Sequence, residues 1–420
     1  MATEQGRRAR RAWPRRIRRP VLLLFAVAFF FAPLAAQLTG QHAVKFENHA
    51  LARFPSISSW SFFGKFNAWS VDHLPLRQYA VRGNAELSHS IFDEIPQYGG
   101  NTDNPLAGIG TPNEKHPRSA SGNSQYASVI QGKDGWLFFG GDAPGACKPN
   151  RTLSQEFALI NQLGQAIEAS GRRFIFTIAP NKTTMYPDEL PSSFYSKDCM
   201  TRATAKLWQQ LGNKPPTGFL NLRPAIQAQQ DADGVPIYRK KDTHWGRRGG
   251  VVYAQQLADR LQPGLWDGTK VTQNGIVREH GDLSVLDGRP TNDIIPNWKM
   301  QRPGIELDYK IAPRPVAKPV TIINRTTPGS VALFGRKTLL LGDSFTDASR
   351  NYLLPLFKNV TLLHNTSSVG YPDKLAKAFV DNDVIVLEVV ERSVVGGGIT
   401  LVGPSHLPEL VAALEAHPLH

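Results

Sequence analysis

Lys337-Thr338-Leu339-Leu340-Leu341-Gly342-Asp343-Ser344-Phe345 is the stretch that decides the fold. Its uninterrupted apolar run reads as a strand buried on both faces, the mark of a parallel sheet, and the chain after Phe345 reads as a helix. Ser344 is therefore expected at a strand-to-helix turn on the carboxyl edge of the sheet. Open α/β sheets take their ligands at that edge, and a helix amino terminus there can lend N–H groups to a developing oxyanion. A serine so placed is a candidate nucleophile. The bland alternative is that Ser344 and Asp343 only cap the helix and shape the turn.

A second motif, Asp242-Thr243-His244-Trp245, lies about a hundred residues upstream. His244 offers a base, and Asp242 a carboxylate to fix its tautomer and stabilise the imidazolium. On an extended segment residues two apart share a side, so both are expected to face one cleft. The alternative for His244 is a surface histidine beside a helix that runs from about Gly249 to Leu261. Serine, histidine and aspartate together are the minimum set for making and breaking an acyl-enzyme.

These two motifs, with the histidine upstream of the serine, resemble the alginate O-acetyltransferases of the SGNH-hydrolase superfamily. Lys133-Asp134-Gly135-Trp136-Leu137-Phe138-Phe139, Ala179-Pro180-Asn181-Lys182 with Tyr186-Pro187, and Val386-Leu387-Glu388-Val389-Val390-Glu391-Arg392 carry the resemblance further, over roughly residues 60 to 395. It implies an SGNH-hydrolase-like, flavodoxin-like three-layer α/β fold with a circularly permuted motif order. It also implies Ser344 as nucleophile, His244 as general base and acid, and Asp242 as its orienting partner. The Ser344 N–H is the first oxyanion donor to name, and Asn365, after the Val360-Thr361-Leu362-Leu363 run, a second. Acetyl-CoA is not expected outside the cytoplasm, so the resemblance further implies a membrane-bound O-acyltransferase as donor relay and a polysaccharide as acceptor.

Other residues near the motifs are candidates for substrate binding. Trp245 and Tyr371 are placed to stack on sugar rings, though each also fits core or loop packing. Lys182 ends a strand, Phe174 to Ala179, at the same sheet edge as Ser344, and otherwise reads as a solvated lysine. No cofactor or metal site is expected. An esterase with the same triad, and a polysaccharide-binding assembly factor without catalysis, are the competing readings.

Charge says less than it first suggests. Lys plus Arg number 48 against 35 Asp plus Glu, a net +13, but the first twenty residues hold eight arginines and one glutamate, leaving +6 for the remainder. No zinc-finger spacing, RNA-binding aromatic motif or phosphate loop accompanies that charge, so nucleic acid is not an expected partner. Pro20 to Leu38 follows the arginines as an almost unbroken apolar stretch. At ~1.5 Å per residue it can nearly span a bilayer core, with the arginines held in the cytoplasm. A single-pass inner-membrane anchor with an extracytoplasmic catalytic domain is the expectation, and a signal cleaved near Ala35-Ala36 its rival.

Cys147 and Cys199 are the only cysteines. In an oxidising compartment they are expected to pair, two free thiols being the alternative. The sequence divides into a cytoplasmic tail (1–19), an anchor (20–39), a helical extension with a loop rich in Gly, Pro, Asn and Ser (40–128), and the α/β domain (129–420). Within that domain about 265 to 327 reads as an irregular insertion with short strands. Alternating strands and helices elsewhere predict a mostly parallel sheet covered on both faces.

Overall fold

The computed structural model describes residues 126–419 except Gly288, together with scattered positions between 20 and 73. By contacts the chain forms two compact units, residues 1–96 with 108–121, and residues 97–107 with 122–420. In the first, Phe54 meets Phe62, Phe66 and Trp69 edge to face. Most of the apolar stretch 20–38, and the loop 101–125, lie outside the described residues. Among the described residues no helix is long and apolar enough to cross a membrane.

The second unit opens with β1 (Val129–Gln131) and β2 (Leu137–Phe139), an antiparallel pair closed by a turn at Lys133–Gly135. Then come α1 (Asp142–Cys147), α2 (Leu153–Ala169), β3 (Arg173–Ala179), α3 (Lys182–Met185), α4 (Lys197–Asn213), β4 (Phe219–Leu220), α5 (Arg223–Asp233) and α6 (Arg247–Leu261). β5 (Lys270–His280), α7 (Asp282–Leu286), β6 (Asn292–Gln301), β7 (Ile305–Glu306), β8 (Val320–Ile323) and β9 (Arg325–Thr326) form the middle of the chain. It closes with β10 (Thr338–Gly342), α8 (Ser344–Leu353), β11 (Asn359–His364), α9 (Pro372–Val380), β12 (Val384–Val390), α10 (Glu391–Val395) and α11 (Leu407–Ala416).

Six strands make the central sheet in the order β4-β3-β12-β10-β11-β8. β8 runs antiparallel to β11 and every other pairing is parallel, so the sheet is mixed. Strand alternation splits the core in two. Leu340, Leu362, Val384 and Val386 pack on one face with Val252, Leu257 and Phe345. Leu339, Leu341, Ile385 and Leu387 pack on the other with Ile160, Leu163, Phe379 and Leu410. Helices thus cover both faces of a sheet whose central strands are apolar apart from the buried Thr338 and Glu388.

The middle of the chain holds short strands as expected, β7, β8 and β9, and beside them a long ribbon that was not expected. β5 and β6 are eleven and ten residues long and pair as an antiparallel ribbon. Their side chains are mostly exposed or half-exposed, so the ribbon lacks the in-out alternation that marks a half-buried strand. Near its start the unit is also stapled covalently, Cys147 in α1 to Cys199 in α4, with Cα atoms 5.1 Å apart.

Candidate active site

Ser344 is the first residue of α8, directly after β10. Asp343 caps the helix: its Oδ1 accepts from Phe345 N–H at 2.9 Å, and its Oδ2 from Val390 N–H at 2.8 Å. The buried Glu388 of β12 accepts from Asp343 N–H at 3.1 Å and from the Thr346 hydroxyl at 2.8 Å. Burial, with the neighbouring Asp343, drives the Glu388 carboxyl well above the usual range, which limits the negative charge beneath the serine. The turn is therefore pinned on both sides of Ser344, which is itself half-buried.

Asp242 and His244 do not lie on an extended segment as the spacing suggested. The chain bends between them, and Asp242 Oδ1 accepts from His244 N–H at 2.9 Å, the local turn that aspartate favours. The same oxygen lies 2.8 Å from His244 Nδ1. With the carboxylate ionised, Nδ1 is the donor, and Nε2 keeps its lone pair. Nε2 is buried and has no hydrogen-bond partner among the described residues. No hydrogen bond joins it to Ser344; the two motifs meet instead through Phe345, whose ring centre lies 4.9 Å from that of His244. Catalytic hydrogen bonds commonly close only once substrate is bound.

Electrostatics suit a base. Burial would raise Asp242, but the His244 hydrogen bond and charge, and Arg239, outweigh it and hold the carboxyl down at about 2. Burial likewise opposes protonation of His244, yet Asp242 and then Asp282 raise it above the ordinary 6.5. Asp282, which the sequence reading did not single out, accepts from Thr243 N–H at 2.7 Å and places its other oxygen 3.6 Å from His244 Nδ1. Ligand atoms of Asp242, His244 and Asp282 lie within 4.8 Å of one another, close enough to share a divalent cation. The Asp242–His244 bond and the Arg239–Asp242 ion pair, 2.9 Å long, already engage the atoms such an ion would need.

Lys182 is buried, not solvated as a lone lysine at a strand end suggested. Its Nζ donates to the carbonyls of Leu137, Lys240 and Asp242 at 2.6, 2.7 and 2.9 Å. Burial pulls its ammonium down to about 7, with Asp242, Asp293 and Asp282 pulling the other way. Three acceptors use all three ammonium hydrogens, so the bonded form is the charged one. Lys182 is thus a clamp on the histidine loop instead of a substrate contact. Lys182→Met should strand three carbonyls and cost ~3 kcal/mol or more; a urea midpoint equal to that of the parent protein would contradict the clamp.

The remaining candidates separate. Trp245 is buried against Tyr238, Tyr253 and Phe345 and donates to Ser349 Oγ at 2.9 Å, so its ring has no face for a sugar. Asn365 is buried and donates to the Glu388 carbonyl at 2.8 Å, tying the ends of β11 and β12 together beside β10. Tyr371 is exposed, with Lys318 Nζ and Lys374 Nζ 5.3 and 5.9 Å from its ring centre. The Lys133–Phe139 and Ala179–Pro187 motifs converge on the histidine loop, and Val386–Arg392 on the serine turn through Glu388 and Val390. Tyr186 Oη accepts from Ile237 and Tyr238 N–H at 2.9 and 3.0 Å, and Leu137 N–H donates to Lys240 O at 2.9 Å.

Residues 129–352, more than half of the chain, match the family described as SGNH hydrolase-like domain, acetyltransferase AlgX. The chain belongs to that family. A "Probable alginate O-acetylase AlgJ" of Pseudomonas syringae pv. tomato is 28% identical over 139 residues, 32% of this chain and 34% of that protein. The match therefore spans about a third of the relative's length. The O-acetyltransferase domain of Pseudomonas putida AlgJ is 18% identical, with a TM-score of 0.45 over 68% of this chain and 98% of that one. Bacillus cereus PatB1 with a sulfonyl adduct is 17% identical, with a TM-score of 0.44 over 64% of this chain and 95% of that one.

Proposed function

We propose that this AlgX-family protein is an O-acetyltransferase that acetylates hydroxyl groups of an extracytoplasmic polysaccharide through an acetyl-Ser344 intermediate. The observation that carries the reading is the Asp242-oriented His244, whose unpartnered Nε2 sits beside the helix that begins at Ser344. The alginate O-acetylase name of its relatives supports the acceptor class.

In the first half-reaction Ser344 Oγ attacks the donor's acetyl carbonyl while Nε2 takes its proton. Asp242 stabilises the imidazolium. Phe345 N–H is held by Asp343 Oδ1 and Asp347 N–H by the Asp343 carbonyl, and we assign the oxyanion to the Ser344 N–H, on the nucleophile itself at the start of α8. Asn365 can add the second hydrogen of its amide, the first being held by Glu388 O. His244 then protonates the leaving group. In the second half-reaction a sugar hydroxyl gives its proton to Nε2 and attacks the acetyl-serine; as the Oγ–acyl bond breaks, Nε2 returns that proton to Ser344 Oγ, and the sugar leaves as the ester.

The Cys147–Cys199 bond suits an oxidising compartment. We place the catalytic domain outside the cytoplasm, held to the inner membrane by the apolar segment 20–39, with a membrane-bound O-acyltransferase handing over the acetyl group. A transferase must let a sugar hydroxyl outcompete ~55 M water, which orientation of the acceptor can achieve through high effective molarity. Purified protein given an activated acetyl ester and oligosaccharides of several polymer types should acetylate at least one sugar in preference to releasing acetate. Acetate formed at one rate with and without sugar, with no acetylated product by mass spectrometry, would mark it as an esterase.

A further inference from the structure

We infer that Asp282 is a second carboxylate partner of His244, a positioning residue that shares with Asp242 the task of holding the imidazolium. This rests on the reading of His244 as the general base. Asp282 and the histidine motif are locked by reciprocal bonds: Asp282 N–H donates to Asp242 Oδ2 at 3.1 Å, and Asp282 Oδ1 accepts from Thr243 N–H at 2.7 Å. The remaining oxygen, Oδ2, is left 3.6 Å from Nδ1, on the same nitrogen that Asp242 Oδ1 holds at 2.8 Å. The approach is built into the backbone. Leu283 N–H donates to Lys241 O at 3.1 Å, and a side chain at Gly281 would collide with that same carbonyl.

Charge explains why one carboxylate is not enough. Asp242 is already paired with Arg239 at 2.9 Å, and that guanidinium also meets Glu279 at 3.6 Å and Asp293 at 3.8 Å. A carboxylate that shares its charge with an arginine stabilises an imidazolium less. Among the described residues Asp282 pairs with no arginine, and it restores a net negative charge at Nδ1. The charged groups that face His244 are Asp242 and Asp282, opposed by Arg392, while Lys182 and Arg239 act on the same cluster.

Asp282→Asn keeps the acceptor for Thr243 N–H and the donor to Asp242 but removes the charge. With 4-nitrophenyl acetate as the probe, Asp282→Asn should lower kcat ~10-fold at unchanged KM, Asp242→Asn ~10²-fold, and the double variant ~10⁴-fold, more than the product of the two. On the resting protein labelled with ¹⁵N-histidine, the His244 ring should titrate at lower pH in Asp282→Asn and in Asp282→Ser. Singles that multiply to the double, with a His244 midpoint unmoved in both Asp282 variants, would reduce Asp282 to a backbone cap and overturn the inference. The labelled-ring titration does not depend on the acyl-serine reading, whereas full activity in Ser344→Ala would sink that reading alone.

Discussion

Ser344→Ala should reduce acetyl transfer to the level of a protein without a nucleophile, a loss of ~10³-fold or more in kcat. The size follows from the role proposed for the hydroxyl: without Oγ no covalent acetyl can form, and only binding and the oxyanion donors remain. The fold should be unaffected, because the turn is held by its neighbours. Asp343 caps α8 and bonds β12, Glu388 holds Asp343 and Thr346, and Phe345 is buried in the core. A thermal unfolding midpoint equal to that of the parent, with transfer lost, is the expected pair of results. Near-parental transfer by the folded variant would remove the serine mechanism.

His244→Ala should be as damaging, and combining it with Ser344→Ala should cost little more, since a nucleophile and its base act as one unit. The base also sets the pH profile. Neutral imidazole is the active form, and burial, which favours it, is outweighed by Asp242 and Asp282, which favour the imidazolium. The folded value therefore lies above 6.5. kcat/KM should rise with pH through a midpoint above 6.5 and be lost below it, as His244 takes up its proton. An acid limb centred below 6.5 would mean that the neighbouring carboxylates do not set the base as described.

What the sequence made legible is what repeats a local rule. Thr338–Gly342, Val384–Val390 and Arg173–Ala179 are mostly apolar because both of their faces are covered. The serine and histidine motifs were legible for a chemical reason, since few other residue sets supply base and nucleophile together. Backbone partners leave no such trace. Nothing in Ala179-Pro180-Asn181-Lys182 shows that the lysine will find three carbonyls, so it reads as solvated. Trp245 reads as a stacking surface until its indole is seen bonded to Ser349. Asp282 was hidden because it reaches His244 by way of an exposed ribbon whose polar strands lack alternation. The place of β8 in the central sheet was hidden for a related reason: its four residues follow Lys318 and Pro319 in a proline-rich stretch, and their pairing with β11 is long-range.

The most direct test of acetyl transfer through Ser344 is to quench the protein within moments of mixing it with an activated acetyl ester and map the acetylated peptide by mass spectrometry. One acetyl group on the peptide containing Ser344 is predicted. It should be absent in Ser344→Ala, and it should disappear when an acceptor oligosaccharide is added, with the acetyl recovered on the sugar. Sugar acetylated at the parental rate while Ser344 carries no acetyl at any time, or with the acetyl lodged on another residue that is equally labelled in Ser344→Ala, would contradict it.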